Sequence, residues 1–127
     1  MRQKIVSHLF LLILCSMTSV CMASSLIPGD PDYAGRRGVI LYVSKAGDNS
    51  DGSSWANAYH TIQAALHAIP DDKGGHRIIV RPDHYMEPNL ETAFKGAADS
   101  YNLLIGDLDG KLGSGAKGWV VIDAGDR

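Results

Sequence analysis

Cysteine is nearly missing from this sequence, and the two that occur, Cys15 and Cys21, both fall in the first 23 residues. Nothing after them can form a disulfide, so a small fold held by cysteine staples is excluded for the body of the chain. Aromatic residues are sparse at 7%. With 14 glycines among 127 residues, that scarcity favours strands and tight turns over a helical bundle. Neither sign of charge dominates: 12 Lys and Arg face 14 Asp and Glu, a net of −2. The charges are dispersed, and the basic patch that nucleic acid requires is absent. Only one long apolar run exists, from Leu9 to Cys15.

That run sits in a recognisable context. Residues 1–23 open with Arg2 and Lys4, continue through the apolar stretch and end in small residues at Ala23. This is the layout of a secretory signal peptide, with Cys21-Met22-Ala23 as its cleavage site. Ser16, Thr18 and Ser19 interrupt the ~20 apolar residues that a bilayer span needs. Lipid attachment at Cys21 is the competing reading, weakened by bulky Val20 just before it. The expected location is therefore secreted, periplasmic or cell-surface. Loss of the leader also removes both cysteines and two positive charges.

What remains has room for one small domain. Residues 24–38, "SSLIPGDPDYAGRRG", show no hydrophobic period and read as an exposed lead-in. "VILYVS" (39–44) is β-branched and aromatic and predicts a strand. A polar, turn-rich loop follows. Ile62, Ala65, Leu66 and Ile69 then recur at helical spacing, with His60 or Thr61 placed to cap and Pro70 to stop. "HRIIVRP" predicts a strand with Ile78 and Val80 on one face and Arg77, Ile79 and Arg81 on the other. "YNLLIGD" (101–107) and "WVVID" (119–123) are further strand candidates. Strands beginning near 77, 101 and 119 have the spacing of a solenoid with one strand per coil.

These residues carry a family resemblance. "LYVSKAGDNSDGSSWANAYHTIQAALHAI" followed by "RIIVRPDHYMEPNLE" resembles the N-terminal opening of right-handed parallel β-helix proteins, the pectate-lyase-like (pectin lyase fold) superfamily. The matching positions are Tyr42, Val43, Gly47, Asp51, Gly52, Trp55, Thr61 to Ala65, Ile78, Val80, Pro82, Tyr85 and Glu87, with Asp83 standing where that family has glycine. The similarity covers residues 41–91 and is loose over 92–127. It implies a mainly β fold, a right-handed parallel β-helix over residues 39–127, in which the helix caps the stack and the following strand starts it. Because the chain stops at "DAGDR" soon after a coil begins, it is expected to be an N-terminal part of a longer β-helix.

Residues with chemical potential are weighed against structural roles. Asp48, Asn49 and Asp51 form an oxygen cluster suited to calcium, but such residues in a turn ordinarily bond their own backbone. Asp107 and Asp109 begin like a calcium loop, then fail at Lys111. His60, His67, His76 and His84 lack zinc-ligand spacing. Asp83 and Glu87 are an ordinary carboxylate pair, Glu87 at a position that is structural in the resembled family. Arg77 and Arg81 can fork onto sugar carboxylates, although strand exteriors are commonly charged. No metal or cofactor is implied, no catalytic residue is assigned, and the sequence carries no signature of oligomeric state. The resemblance implies a secreted protein that recognises or processes polysaccharide, as a pectate lyase, polygalacturonase or pectin esterase does, with the catalytic coils outside this chain. The alternative is a non-catalytic adhesin or surface structural module.

Overall fold

The structure is a computed structural model and describes residues 30, 33 and 35–125. The signal-peptide segment, residues 1–23, lies outside the described residues. Among the described residues, five four-residue strands and one helix follow in the order β1 (Ile40–Val43), α1 (Ile62–His67), β2 (Arg77–Val80), β3 (Asp83–Met86), β4 (Leu103–Gly106) and β5 (Val120–Asp123). β1, β2 and β4 form a three-stranded sheet with β2 in the middle, and β3 pairs with β5 in a second sheet. All pairings are parallel.

Register follows from side-chain chemistry. Leu41, Ile78 and Leu104 stand side by side, as do Tyr42, Ile79 and Ile105. Side chains alternate along a strand, so Leu41, Val43, Ile78 and Val80 turn to one side and meet Ile62, Ala65 and Ile69 of the helical segment, with Tyr85 from β3. Each fully buried aliphatic side chain of this set contributes about 1.5–3 kcal/mol of burial free energy. The helix is brief because Pro70 disfavours helical backbone at the residue before it. Thr61 caps its start through Oγ1, which accepts the Ala64 amide at 3.2 Å.

The strand and helix expectations locate elements well. β2 departs in one respect, since Ile79 on its outer side is also buried. Tyr42 beside it packs against Trp55 with ring centroids 4.8 Å apart and planes tilted by 57°, and Trp55 Nε1 donates to Leu112 O at 3.1 Å. The polar loops on either side of the sheet thus meet over its outer face.

The fold-class expectation is overturned. The described residues form a small α/β domain with two short parallel sheets, of three and two strands, and one helix; no solenoid is detected. The strand spacing that pointed to repeating coils has another cause. β1 precedes the helix and pairs with β2 across it, while β3 follows β2 after two residues and enters the other sheet. Similar spacing along the chain therefore does not mark one repeated unit. The lead-in is also tied down where it is described: Tyr33 is buried, and its hydroxyl bonds Arg36 O at 3.0 Å and Ser100 Oγ at 2.8 Å.

Candidate functional site

The oxygens singled out for calcium are occupied by their own loops. Asp48 Oδ1 accepts from the Ser50 amide and hydroxyl at 3.0 and 2.6 Å, and Asp51 Oδ1 from those of Ser53 at 2.9 and 2.6 Å. The Ser53 hydroxyl and amide hold the Asp51 carboxyl below its usual range. Asn49 takes a left-handed conformation, φ 64°, which lets its Oδ1 accept the His60 amide at 2.9 Å. Asp107 is buried, which pushes its carboxyl up, but Ser114 and the Leu112 amide outweigh that and lower it. Its two oxygens accept the Leu112 and Ser114 amides, each at 2.9 Å. Asp109 pairs with Lys111 at 2.7 Å. These carboxylates shape loops.

The four histidines are not brought together, and no group of three or more potential metal ligands occurs among the described residues. His60 Nε2 bonds Gly47 O at 2.7 Å. His67 is exposed in the last turn of α1. Asp83 pairs with Lys45 at 3.3 Å, whereas both Glu87 oxygens serve the start of α1. The two carboxylates thus act on different elements, not as an acid–base pair. Arg77 and Arg81 are partly buried, and the Arg81 carbonyl accepts the Tyr85 hydroxyl at 2.9 Å.

Sequence reasoning did not foresee the cluster around His76. This side chain is buried between the lead-in and β2. Its Nδ1 accepts the Val39 amide at 3.1 Å, so the ring hydrogen belongs on Nε2, which faces Asp71 Oδ1 at 3.1 Å. Arg36 clamps the same carboxylate with two bonds of 2.7 and 3.0 Å. The Asp-His pairing looks like half of a catalytic triad. However, a general base needs a free ring nitrogen, and both nitrogens here are engaged. The cluster is a pin between segments. Gly74 and Gly75, at φ 76° and 78°, let the chain pass so close that a Cβ on either would strike the Ser100 or Arg36 carbonyl.

The surface with spare chemistry is the outer side of the β3–β5 sheet. Tyr85 points inward, so alternation places His84 and Met86 outward. On β5, Val121 and Asp123 share that side, and Trp119 stands one residue before the strand. Trp119 is 77% exposed. Met86 and Val121 are exposed as well. His84 Nε2 lies 3.1 Å from Asp123 Oδ2, tying the two strands across this face. The Asp123 carboxyl is held below its usual range by the Gly125 amide and by His84. The face thus carries exposed apolar side chains together with one polar pair.

Two features of this surface were missed. Trp119 was read only as the start of a strand, and His84 only as a lone histidine. The signal that was present is the aromatic residue at the lip of an alternating strand. The His84–Asp123 contact joins residues 39 positions apart and needed the pairing of β3 with β5. The expected kinship with the parallel β-helix superfamily is likewise corrected: no family match supports it, and the sheets described above are not its architecture. No protein family, no curated protein and no solved structure matches the chain.

Proposed function

We propose that the protein recognises polysaccharide outside the cytoplasm, through the outer face of the β3–β5 sheet. The observation that carries this reading is Trp119, 77% exposed one residue before β5, the strand whose Asp123 meets His84. Burying large apolar surface is favourable, and tryptophan combines a wide apolar face with an N–H donor. A pyranose ring offers the complementary partner, with C–H groups on its faces and hydroxyls at its edge. The secretory leader read at residues 1–23 is what supports an extracytoplasmic setting. Binding, rather than cleavage, is proposed, because Glu87, Asp107 and Asp71 are committed to bonds that hold the fold together.

The test is retention of the protein on a panel of insoluble polysaccharides, compared with Trp119→Ala. Because the indole is exposed, that variant should fold normally by circular dichroism. Retention that falls about tenfold or more in the variant supports the reading. Equal retention of both proteins, or of neither, removes it.

A further inference from the structure

We infer that two copies of this chain join through the outer edge of β4, antiparallel about a two-fold axis, and that association stops at the dimer. The outer strand edges of the two sheets are not alike. On β1, Tyr42 donates its amide to Gly52 O at 2.8 Å, its carbonyl accepts the Tyr59 amide at 2.9 Å, and Ser44 donates to Tyr59 O at 2.8 Å. The loop after β1 closes that edge. On β3, the His84 amide donates to Asp83 Oδ1 at 2.7 Å, and the His84 carbonyl accepts Lys45 Nζ at 2.6 Å. Side chains close that one.

β4 is open. The Leu103 and Asp107 amides turn to β2, where they bond His76 O and Val80 O, each at 2.9 Å. Every second residue of a strand addresses the same neighbour, so the backbone groups of Leu104 and Gly106 turn outward. Neither residue makes a hydrogen bond on that side among the described residues. Such an edge is a template for another strand.

A second β4 fits this edge best. Copies joined head to tail would need β4 to meet a different open edge on the next copy, and those of β1 and β3 are taken. β5 is a poor mate, because Asp123 stands in it and pairing would set its carboxylate among the leucines of β4. No charged residue occurs between Ser100 and Gly106, so two β4 strands place no like charges opposite each other. Centred on Leu104, the antiparallel pair lays Leu104 on itself and Leu103 on Ile105, apolar against apolar. Leu104 is 46% exposed in the single chain, and the second copy covers it.

Sedimentation equilibrium of the full chain under reducing conditions should show monomer and dimer only. Hydrogen exchange read residue by residue should slow about tenfold or more at Leu104 and Gly106 as concentration rises, and stay unchanged at Tyr42. Leu104→Pro removes an amide that the sheet does not use, so the helix signal should survive in circular dichroism while the dimer is lost. Monomer at all concentrations, or growth beyond two copies, overturns the inference. So does a dimer whose Leu104 and Gly106 amides exchange at the monomer's rate, or a folded Leu104→Pro variant that still dimerises. Exchange in the unmodified protein decides the matter by itself where that variant does not fold.

Discussion

Glu87, at the end of β3, closes over the first turn of α1: its Oε2 accepts the Ile62 amide at 2.8 Å and its Oε1 the Gln63 amide at 3.1 Å. A helix leaves its first amides without partners inside itself, and here a carboxylate 25 residues away supplies them. The same residue's amide donates to Asp123 O at 2.8 Å, so Glu87 links helix and β3–β5 sheet at once.

Replacing Glu87 with alanine removes both side-chain bonds and leaves Thr61 to cap alone. The expected loss is about 1–2 kcal/mol, typical of a removed cap with a charge-assisted component. Glu87→Gln should cost less, since one oxygen still accepts but the charge and the second acceptor are gone. Urea denaturation followed by circular dichroism checks the order: wild type above Gln above Ala. Equal stability of all three would show that Glu87 does not hold the helix start.

Asp71 makes stability depend on acidity. Burial pushes its carboxyl up, but hydrogen bonds from His76, the Lys73 amide and Arg36 prevail and bring it down from 3.8 to about 2. A depressed carboxyl contributes stability that is present above its unfolded value and lost as pH falls through the folded one. The wild-type protein should therefore lose stability between pH 3.8 and about 2. In Asp71→Asn that part of the acid slope should vanish, and the variant should already be weaker near neutrality. Thermal melts across that range test the sign. A wild-type protein that stabilises on acidification there would contradict the pairing seen around Arg36 and His76.

Much of the secondary structure was legible because it rests on local chemistry. Of the stripe Ile62, Ala65, Leu66 and Ile69, the first three lie on the helix and Ile69 just past its end; Ile62, Ala65 and Ile69 are buried, and Pro70 follows. The stretches read as strands, 39–44, 76–82, 101–107 and 119–123, each contain one. The fold class was not legible. The spacing of strands does not state which strand pairs with which, and the order β1-β2-β4 beside β3-β5 depends on contacts between distant residues. Two further misses share that origin. His76 acquires its role only when Val39 and Asp71 arrive from either side. The polar face at Trp119 acquires its partner only when β5 lies beside β3.

Tyr85 supplies the alkaline counterpart of Asp71. Burial above all, with Asp83 nearby, pushes its phenol up from 10.0 to about 12. A group raised in the folded state gives stability that is lost as pH climbs through the folded value. Ultraviolet titration should therefore show one tyrosine resisting ionisation until about pH 12, with unfolding when it yields. Tyr85→Phe should abolish that late step. It should also cost about 1 kcal/mol, because it deletes the bond from the hydroxyl to Arg81 O and leaves a carbonyl unpaired. A late step that persists in the variant would assign it to another tyrosine.

The apolar interior thins from one end of the sheets to the other. In the row Leu41, Ile78, Leu104, exposure runs 7%, 2% and 46%. In the second sheet Tyr85 is 1% exposed and its partner Ile122 43%. β4 and β5 are also the outer strands of their sheets, and no charged residue or proline interrupts 100–106 to discourage edge pairing. The protein as described by these residues should self-associate with rising concentration, and a dye that fluoresces on apolar surface should bind the dissociated form. Ile122→Lys and Leu104→Lys, combined, set a charge on each open position. Because both sites are already half exposed, the substitutions should leave the helix signal intact while shifting sedimentation towards monomer. Monomer at all concentrations before substitution, or association unchanged after it, would show that these strand edges do not drive the contact.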